Sequence, residues 1–382
     1  VARTYRFKKG SGMPISIPVI DMVEIGAGGG PLAHVDSMRQ IRVGPESAGS
    51  EPGPACFGRG GQRPAVTDAD LVLGKLDPDN FAGGSIVLNT TDAEQALHAE
   101  VGTKLDMDAQ TAAFGLVEVV DENMANAARV HAVENGEDLA DYTMIAFGGA
   151  APLHAGRLCE KLSIDRLLVP VGAGVGSAIG FLRAPFSFEA NRSVYMRLSN
   201  FDPFIIKSLL AELDREARGF VMRCDDHSDI TSEYKVYMRY SGQGWEIPVV
   251  LTAEQAQNPN MDTFKVLFER DYESLFGRVV DGMDIDITVW AVNVTTPSQH
   301  IDKACEQKER GQANIKMQRR MFDPALGAVQ SASVVQRTDM HAGQTINGAA
   351  IIVEDETTVI VPSSRYAIMQ SDGCIDVRVR KL

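Results

Sequence analysis

The sequence has 382 residues, a formal net charge of −14, 44% hydrophobic and 23% charged residues. That is ordinary globular composition, long enough for two or three domains, and its acidity excludes a nucleic-acid surface, which needs a basic face. No apolar run reaches the roughly 18 residues of a membrane span, so no membrane segment is read. The five cysteines (Cys56, Cys159, Cys224, Cys305, Cys374) are scattered without a CxxC pair, which argues against a disulfide framework or thiolate zinc site and for a reducing, cytoplasmic setting. The chain opens on Val1-Ala2-Arg3-Thr4 with no signal-peptide pattern. It reads as the middle of a longer protein, or one product of a split or processed one.

Residues 1–90 alternate short apolar runs with Gly/Pro turns and predict strands near 17–25, 41–43 and 85–88. The first of these, read as buried, carries Asp21 and Glu24 and runs into Gly26, Gly28, Gly29 and Gly30. Such a glycine run is neither a stable helix nor a packed strand. Its N–H groups can turn toward an anion because no Cβ stands in the way. A mobile surface loop is the alternative, but two more Gly/Pro-dense loops (43–49 and 51–58) crowd behind the run and favour a site. Thr67, Asp68 and Asp70 precede Leu71-Val72-Leu73. They either cap a short helix or contact a metal or phosphate-bound water, with equal weight. Residues 92–134 read mostly as helix, with an apolar stripe through Ala112, Leu116, Val119, Val120, Met124, Ala127 and Ala128. Asn123, Asn126 and Arg129 read as its solvated face, with a cleft-facing role the weaker alternative. Gly136 stops the helix.

Residues 142–147 read as a buried strand running into Gly148, Gly149 and Ala150 and then a helix through Leu153, Ala155, Leu158, Cys159 and Leu162. Strand, glycine turn and helix in that order let a base or ribose lie against backbone. His154, near the helix start, is either structural or a neutral donor or acceptor with its pKa depressed by the helix N-terminus. Gly172 and Gly174 lack an acidic ribose partner at the expected distance, which excludes a Rossmann dinucleotide site. Strand–helix alternation predicts an α/β architecture. From about residue 196 an amphipathic helix (203–222) places Ile206, Leu209, Leu210, Leu213, Ala217 and Phe220 inward. Strands at 233–240, 245–251 and 284–294 and a helix bearing Phe264, Leu267, Phe268, Tyr272 and Phe276, read as core, complete an α+β domain. Residues 301–318 read as a charged linker, and the short strands beyond predict a small β-barrel or sandwich. The expected division is 1–195, 196–300 and 301–382.

Several long stretches resemble the hydantoinase A/5-oxoprolinase family. They are Asp21-Met22-Val23-Glu24-Ile25-Gly26-Ala27-Gly28-Gly29-Gly30, Val43-Gly44-Pro45-Glu46-Ser47-Ala48-Gly49, Pro52-Gly53-Pro54-Ala55-Cys56-Phe57-Gly58, Thr67-Asp68-Ala69-Asp70-Leu71-Val72-Leu73-Gly74, Phe147-Gly148-Gly149-Ala150-Ala151-Pro152-Leu153-His154-Ala155 and Arg239-Tyr240-Ser241-Gly242-Gln243. Residues 7–12 and 75–84 look most like the acetone carboxylase β-subunit branch. The resemblance implies an actin-like, sugar-kinase-like ATPase lobe followed by the α+β domain and the small C-terminal β domain. Neither phosphate loop of that fold is in these residues, so the chain corresponds to the C-terminal half of a subunit. Phe147-Gly148-Gly149 looks like its adenosine motif. Pro31 and Ala151 depart from the family pattern.

By this resemblance ATP and Mg²⁺ activate the substrate, as a phosphorylated enolate with carboxyphosphate in a ketone carboxylase, or as a phosphorylated amide in an oxoprolinase. The implied catalytic acids are Asp21, Glu24, Asp68 and Asp70, with Asp68 toward Mg²⁺. Gly26, Gly28, Gly29 and Gly30 are implied to hold phosphate, and Gly148, Gly149 and Ala150 the nucleoside. The implied partners are the N-terminal half with the phosphate loops, a hydantoinase B-like subunit holding a transition metal (Mn, Zn or Fe) and a small third subunit. The first expectation is a subunit of an ATP-dependent ketone carboxylase giving a β-keto acid. A cyclic-amide hydrolase subunit and a non-catalytic assembly subunit are the alternatives.

Overall fold

The computed structural model describes residues 22–226, 229–298 and 306–380, and its chain divides into two units, 1–179 with 303–382, and 180–302. The first unit begins with the antiparallel hairpin β1 (Pro31–Val35) and β2 (Ile41–Ser47). There follow α1 (Val66–Val72), α2 (Thr90–Leu97), a π-helical turn (His98–Gly102), α3 (Thr103–Leu105), α4 (Ala109–Asn135), β3 (Thr143–Ile145), α5 (Ala151–Leu162) and β4 (Arg166–Val169), and the division falls within α6 (Gly176–Arg183). Local chemistry sets the ends of α4. The Asp108 carboxylate accepts the Thr111 N–H at 2.7 Å, and Gly136 takes the left-handed conformation (φ 71°) that ends the helix. Its buried face runs through Ala112, Ala113, Leu116, Val117 and Val120, and the alanines allow α1 to pack closely.

The second unit comprises β5 (Ser187–Arg192), β6 (Met196–Arg197), α7 (Pro203–Cys224), β7 (Thr231–Tyr240), β8 (Ile247–Leu251), α8 (Ala253–Gln257), α9 (Met261–Phe276) and β9 (Ile285–Thr295). Its antiparallel sheet has the order β5-β9-β7-β8, with β6 also on β9. Alternate residues of β7 (Tyr234, Val236, Met238, Tyr240) enter the core with Ile206, Leu210, Leu213, Ala217 and Val221 of α7. Trp290 is fully buried, and its Nε1–H donates to the Val194 carbonyl at 2.9 Å. Phe264, Phe268 and Tyr272 are buried as expected of a core stripe. Phe220 and Phe276 are 40% and 50% exposed; on α7 the inward position belongs to Val221.

The last strands are β10 (Gly311–Gln312), β11 (Met317–Asp323), β12 (Ala328–Gln336), β13 (Gln344–Asn347), β14 (Ala350–Val353), β15 (Thr358–Val361), β16 (Arg365–Met369) and β17 (Ile375–Val379). They return to the first unit rather than forming a third. One sheet has the order β10-β13-β16-β17-β4-β3, with β3 and β4 parallel and β17 antiparallel to β4. The other is β11-β12-β14-β15. Ala155, Cys159 and Leu162 of α5 share one core with Leu167, Val169, Ile352, Val359, Val361 and Val377. Strands on either side of a long insertion thus complete one another, which periodicity within each strand does not reveal.

The expected strand at 17–25 lies outside the described residues through Asp21. Residues 22–27 are irregular, with Met22 72% and Val23 56% exposed, so the described part is not a buried strand. At 85–88 the structure has only a bridge between Phe81 and Ile86. Among the described residues, no helix is long and apolar enough to cross a membrane.

Candidate functional site

The first unit contains a cleft of about 300 Å³ where five segments converge, one of them the loop that carries Gly49, Pro54 and Phe57. Gly29 and Gly30 form one wall, and Gly149, Ala150 and Leu153 at the start of α5 another. Asp70, Leu76, Asp77 and Phe81 come from α1 and the loop after it. The turn between β14 and β15 brings Glu354, Asp355, Glu356 and Thr357.

Hydrogen bonds to carbonyl oxygens place the two glycine segments. The Gly29 carbonyl accepts both the N–H and the hydroxyl of Thr67, each at 2.9 Å, and the Gly149 carbonyl accepts the Thr357 hydroxyl at 2.8 Å. A peptide's C=O and N–H point opposite ways, so each tie also fixes the direction of the next residue's N–H. A Cβ on Gly29 would stand 2.7 Å from Thr67 Oγ1, and one on Gly30 2.7 Å from Ser47 Oγ, so a side chain at either position would push a neighbouring hydroxyl aside. Gly26, Gly28 and Gly148 are not among the cleft-lining residues. The Gly148 N–H donates to the Ala173 carbonyl at 2.6 Å and is committed there.

Of the two readings of Asp68, capping is the one realised. The side chain is fully buried; Oδ1 accepts the Cys56 N–H at 2.7 Å, and Oδ2 accepts those of Ala65 and Ala55 at 2.7 and 3.1 Å. Both oxygens organise the loop ahead of α1, so the expected Mg²⁺ contact gives way to a structural role. Among the described residues there is no group of three or more His, Cys, Asp or Glu side chains that could hold a metal ion. Glu24 is exposed and away from the cleft lining, and Asp21 lies outside the described residues.

Asp70 lines the cleft floor and heads a buried chain of charge. Its Oδ1 accepts from Lys75 Nζ at 2.8 Å, and Oδ2 lies 3.2 Å from His154 Nε2. His154 Nδ1 lies 2.8 Å from Asp121 Oδ1. All four side chains are at least nine-tenths buried, and they tie α1, α4 and α5 together. Burial pushes the Asp70 carboxyl up, but Lys75 and His154 outweigh it and hold it at about 2. Burial and the nearby Lys75 charge pull His154 down, and the Asp70 charge with the hydrogen bond to Asp121 lifts it to about 9. His154 is therefore charged at neutral pH. Two facing carboxylates reverse the depressed pKa that its position near a helix start predicts.

Lys75, Asp121 and the 354–357 turn were not legible as site residues. A signal existed for Asp121, a polar residue within the apolar stripe of α4, and for Glu354-Asp355-Glu356, an acidic run between two apolar strands. Asn123 and Asn126 are exposed, and Arg129 bonds to Glu122, Asn126 and the Lys161 carbonyl, a helix-surface network rather than a cleft.

The hydantoinase/oxoprolinase family profile matches residues 2–190, and the profile of the hydantoinase/oxoprolinase C-terminal domain matches residues 205–377. The caprolactamase subunit alpha of Pseudomonas jessenii is 30% identical over 356 residues, covering 91% of this chain and 51% of that protein. The acetophenone carboxylase gamma subunit of Aromatoleum aromaticum is 29% identical over 379 residues, covering 94% and 51%. A nucleotide-free acetone carboxylase structure superposes with a TM-score of 0.80 at 23% identity, covering 96% of this chain and 54% of that one. The chain spans about half the length of these relatives.

Proposed function

We propose, from the premise that the chain belongs to the hydantoinase/oxoprolinase family, that it forms one wall of the nucleotide site of an ATP-dependent enzyme activating a carbonyl oxygen by phosphorylation. The observation that carries this is the meeting of the two glycine segments: a Cβ on Gly29 would stand 3.9 Å from Ala150 Cβ. The backbone at Gly29 and Gly30, bare of side chains, suits a phosphate group. When bound, ATP supplies the phosphoryl group that makes an unreactive carbonyl reactive. Phe57, Phe81, Leu76 and Leu153 line the cleft and exclude water from the reacting groups. Asp70, held ionised by Lys75 and His154, is a fixed hydrogen-bond acceptor on the floor rather than a general base. Among the described residues, the Asp68 carboxylate is taken up by three backbone N–H groups and has no partner carboxylates with which to hold Mg²⁺.

The substrate read first is a ketone, joined to bicarbonate to give a β-keto acid in the manner of an acetone-type carboxylase; the acetophenone carboxylase relative supports it. The caprolactamase relative supports the second reading, hydrolysis of a cyclic amide. The partners in this reading are an N-terminal half carrying the phosphate loops, a hydantoinase B-like subunit with its own transition metal and a small third subunit, all cytoplasmic. The named subunits among the relatives support a hetero-oligomer. So does β3, an edge strand with Ile145 59% exposed and Phe147 just beyond it 58% exposed.

The test is ATP turnover by the protein purified with its partner chains, given a ketone plus bicarbonate or a lactam. Substrate-stimulated ADP release with a β-keto acid product supports the first reading, and an amino acid product the second. Gly29→Ala is expected to lower nucleotide affinity about ten-fold or more, since its Cβ displaces Thr67.

A further inference from the structure

The cleft has an unequal distribution of charge that the glycine walls do not explain. Asp355 and Glu356, at the tip of the β14–β15 turn, both line it, and among the described residues neither makes an ion pair. The tip is nonetheless firmly held. The Glu354 N–H donates to the Thr357 carbonyl at 3.0 Å, and the Glu354 carboxylate accepts from Arg337 at 2.6 Å. The same buried guanidinium donates to the carbonyls of Val169, Pro170 and Gly373. Thr357 bonds to Gly149 at 2.8 Å, and Gly174 lies so close that a Cβ there would stand 2.4 Å from Glu356 Cβ. Two carboxylates without cationic partners among the described residues are thus presented on a rigid support.

Close approaches order the cleft walls: Gly29 abuts Ala150, and Gly149 abuts Glu356, whose carbonyl would lie 3.6 Å from a Cβ at Gly149. A uniformly anionic ligand is repelled at the acidic end. A ligand with an anionic end and a neutral, hydroxyl-bearing end is accommodated in one direction only. Carboxylates accept hydrogen bonds from hydroxyls strongly, and an acidic side chain on a ribose diol is a known solution in other folds.

We propose that the β14–β15 tip recognises the ribose hydroxyls of the nucleotide through Asp355 and Glu356 and so directs the phosphates toward Gly29 and Gly30. This rests on the nucleotide reading above and assigns the nucleoside end of the ligand to residues from the C-terminal segment. Both side chains are exposed, so their amides fold normally, which a thermal melt checks. The experiment is calorimetric titration of the protein with its co-purifying chains, using ADP, 2′-deoxy-ADP, 3′-deoxy-ADP and tripolyphosphate, for wild type and Asp355→Asn/Glu356→Gln.

The expected result is that wild type prefers ADP over at least one deoxy form about ten-fold or more. The double variant loses that preference and binds tripolyphosphate as well as wild type or better. If the variant binds ADP at least as tightly with discrimination intact, the acids only repel; the inference falls while the nucleotide reading stands. If wild type binds none of the nucleotides, the reading falls and the inference with it.

Discussion

The four buried groups Lys75, Asp70, His154 and Asp121 decide how the first unit responds to pH. His154 rises from an ordinary 6.5 to about 9, so its stabilising contribution is complete below 6.5 and is lost as pH climbs through 9. Asp70 falls from 3.8 to about 2, so its contribution holds above 3.8 and disappears as pH drops through 2. Urea midpoints should therefore fall on the alkaline side of 6.5, and His154→Gln should flatten that limb; an unchanged limb would assign it to another group. Lys75→Met leaves a buried carboxylate with one cationic partner fewer and is expected to cost about 3 kcal/mol in chemical denaturation. Asp68→Ala strips an acceptor from three backbone N–H groups. A loss of about 3 kcal/mol or more in the same measurement is expected, because buried donors left unpaired are expensive. A stability loss well under 1 kcal/mol would return Asp68 to the candidates for ligand contact.

Among the elements, helix ends rest on residues close in sequence, and the Gly136 stop of α4 was readable for that reason; the caps of α7 and α9 are of the same local kind but were not singled out. Asp202 accepts the N–H groups of Phe204 and Ile205 at 2.9 and 3.1 Å ahead of α7, and Asn260 does the same for Asp262 and Thr263 ahead of α9. Asp202→Ala should lower the stability of the second unit by about 1 kcal/mol, read from its thermal transition. The β14–β15 turn is the opposite case. Its place in the cleft depends on Arg337, on Thr357 reaching Gly149 and on the close packing of Gly174, all contacts between distant segments.

For the whole molecule, the consequence of the strand order is that the C-terminal segment is part of the first unit. Arg166 of β4 bonds in two places to Asp376 of β17, which is 210 residues away. A chain ending at residue 302 loses β10, β13, β16 and β17 from the six-stranded sheet and all of the other sheet. Limited proteolysis of such a truncation should leave a resistant fragment near 180–302, with its own Trp290 core, and digest the rest. A resistant 22–179 fragment would instead favour the independent C-terminal domain that the charged stretch at 301–318 suggested.

The sequence by itself determined what depends on near neighbours. The amphipathic stripes of α4, α7 and α9 were readable from their spacing, as was the glycine density that leaves Gly29, Gly30 and Gly149 without side chains at the cleft wall. The family resemblance was carried by contiguous stretches of this kind. Only the tertiary structure decided that Asp68 is a capping group, that His154 is charged, that Lys75 and Asp121 complete its chain, and that residues 354–357 border the cleft. The physical reason is range. Helical periodicity and caps act over three or four residues, whereas the protonation of a buried group and the pairing of a strand depend on which distant segment lies against it.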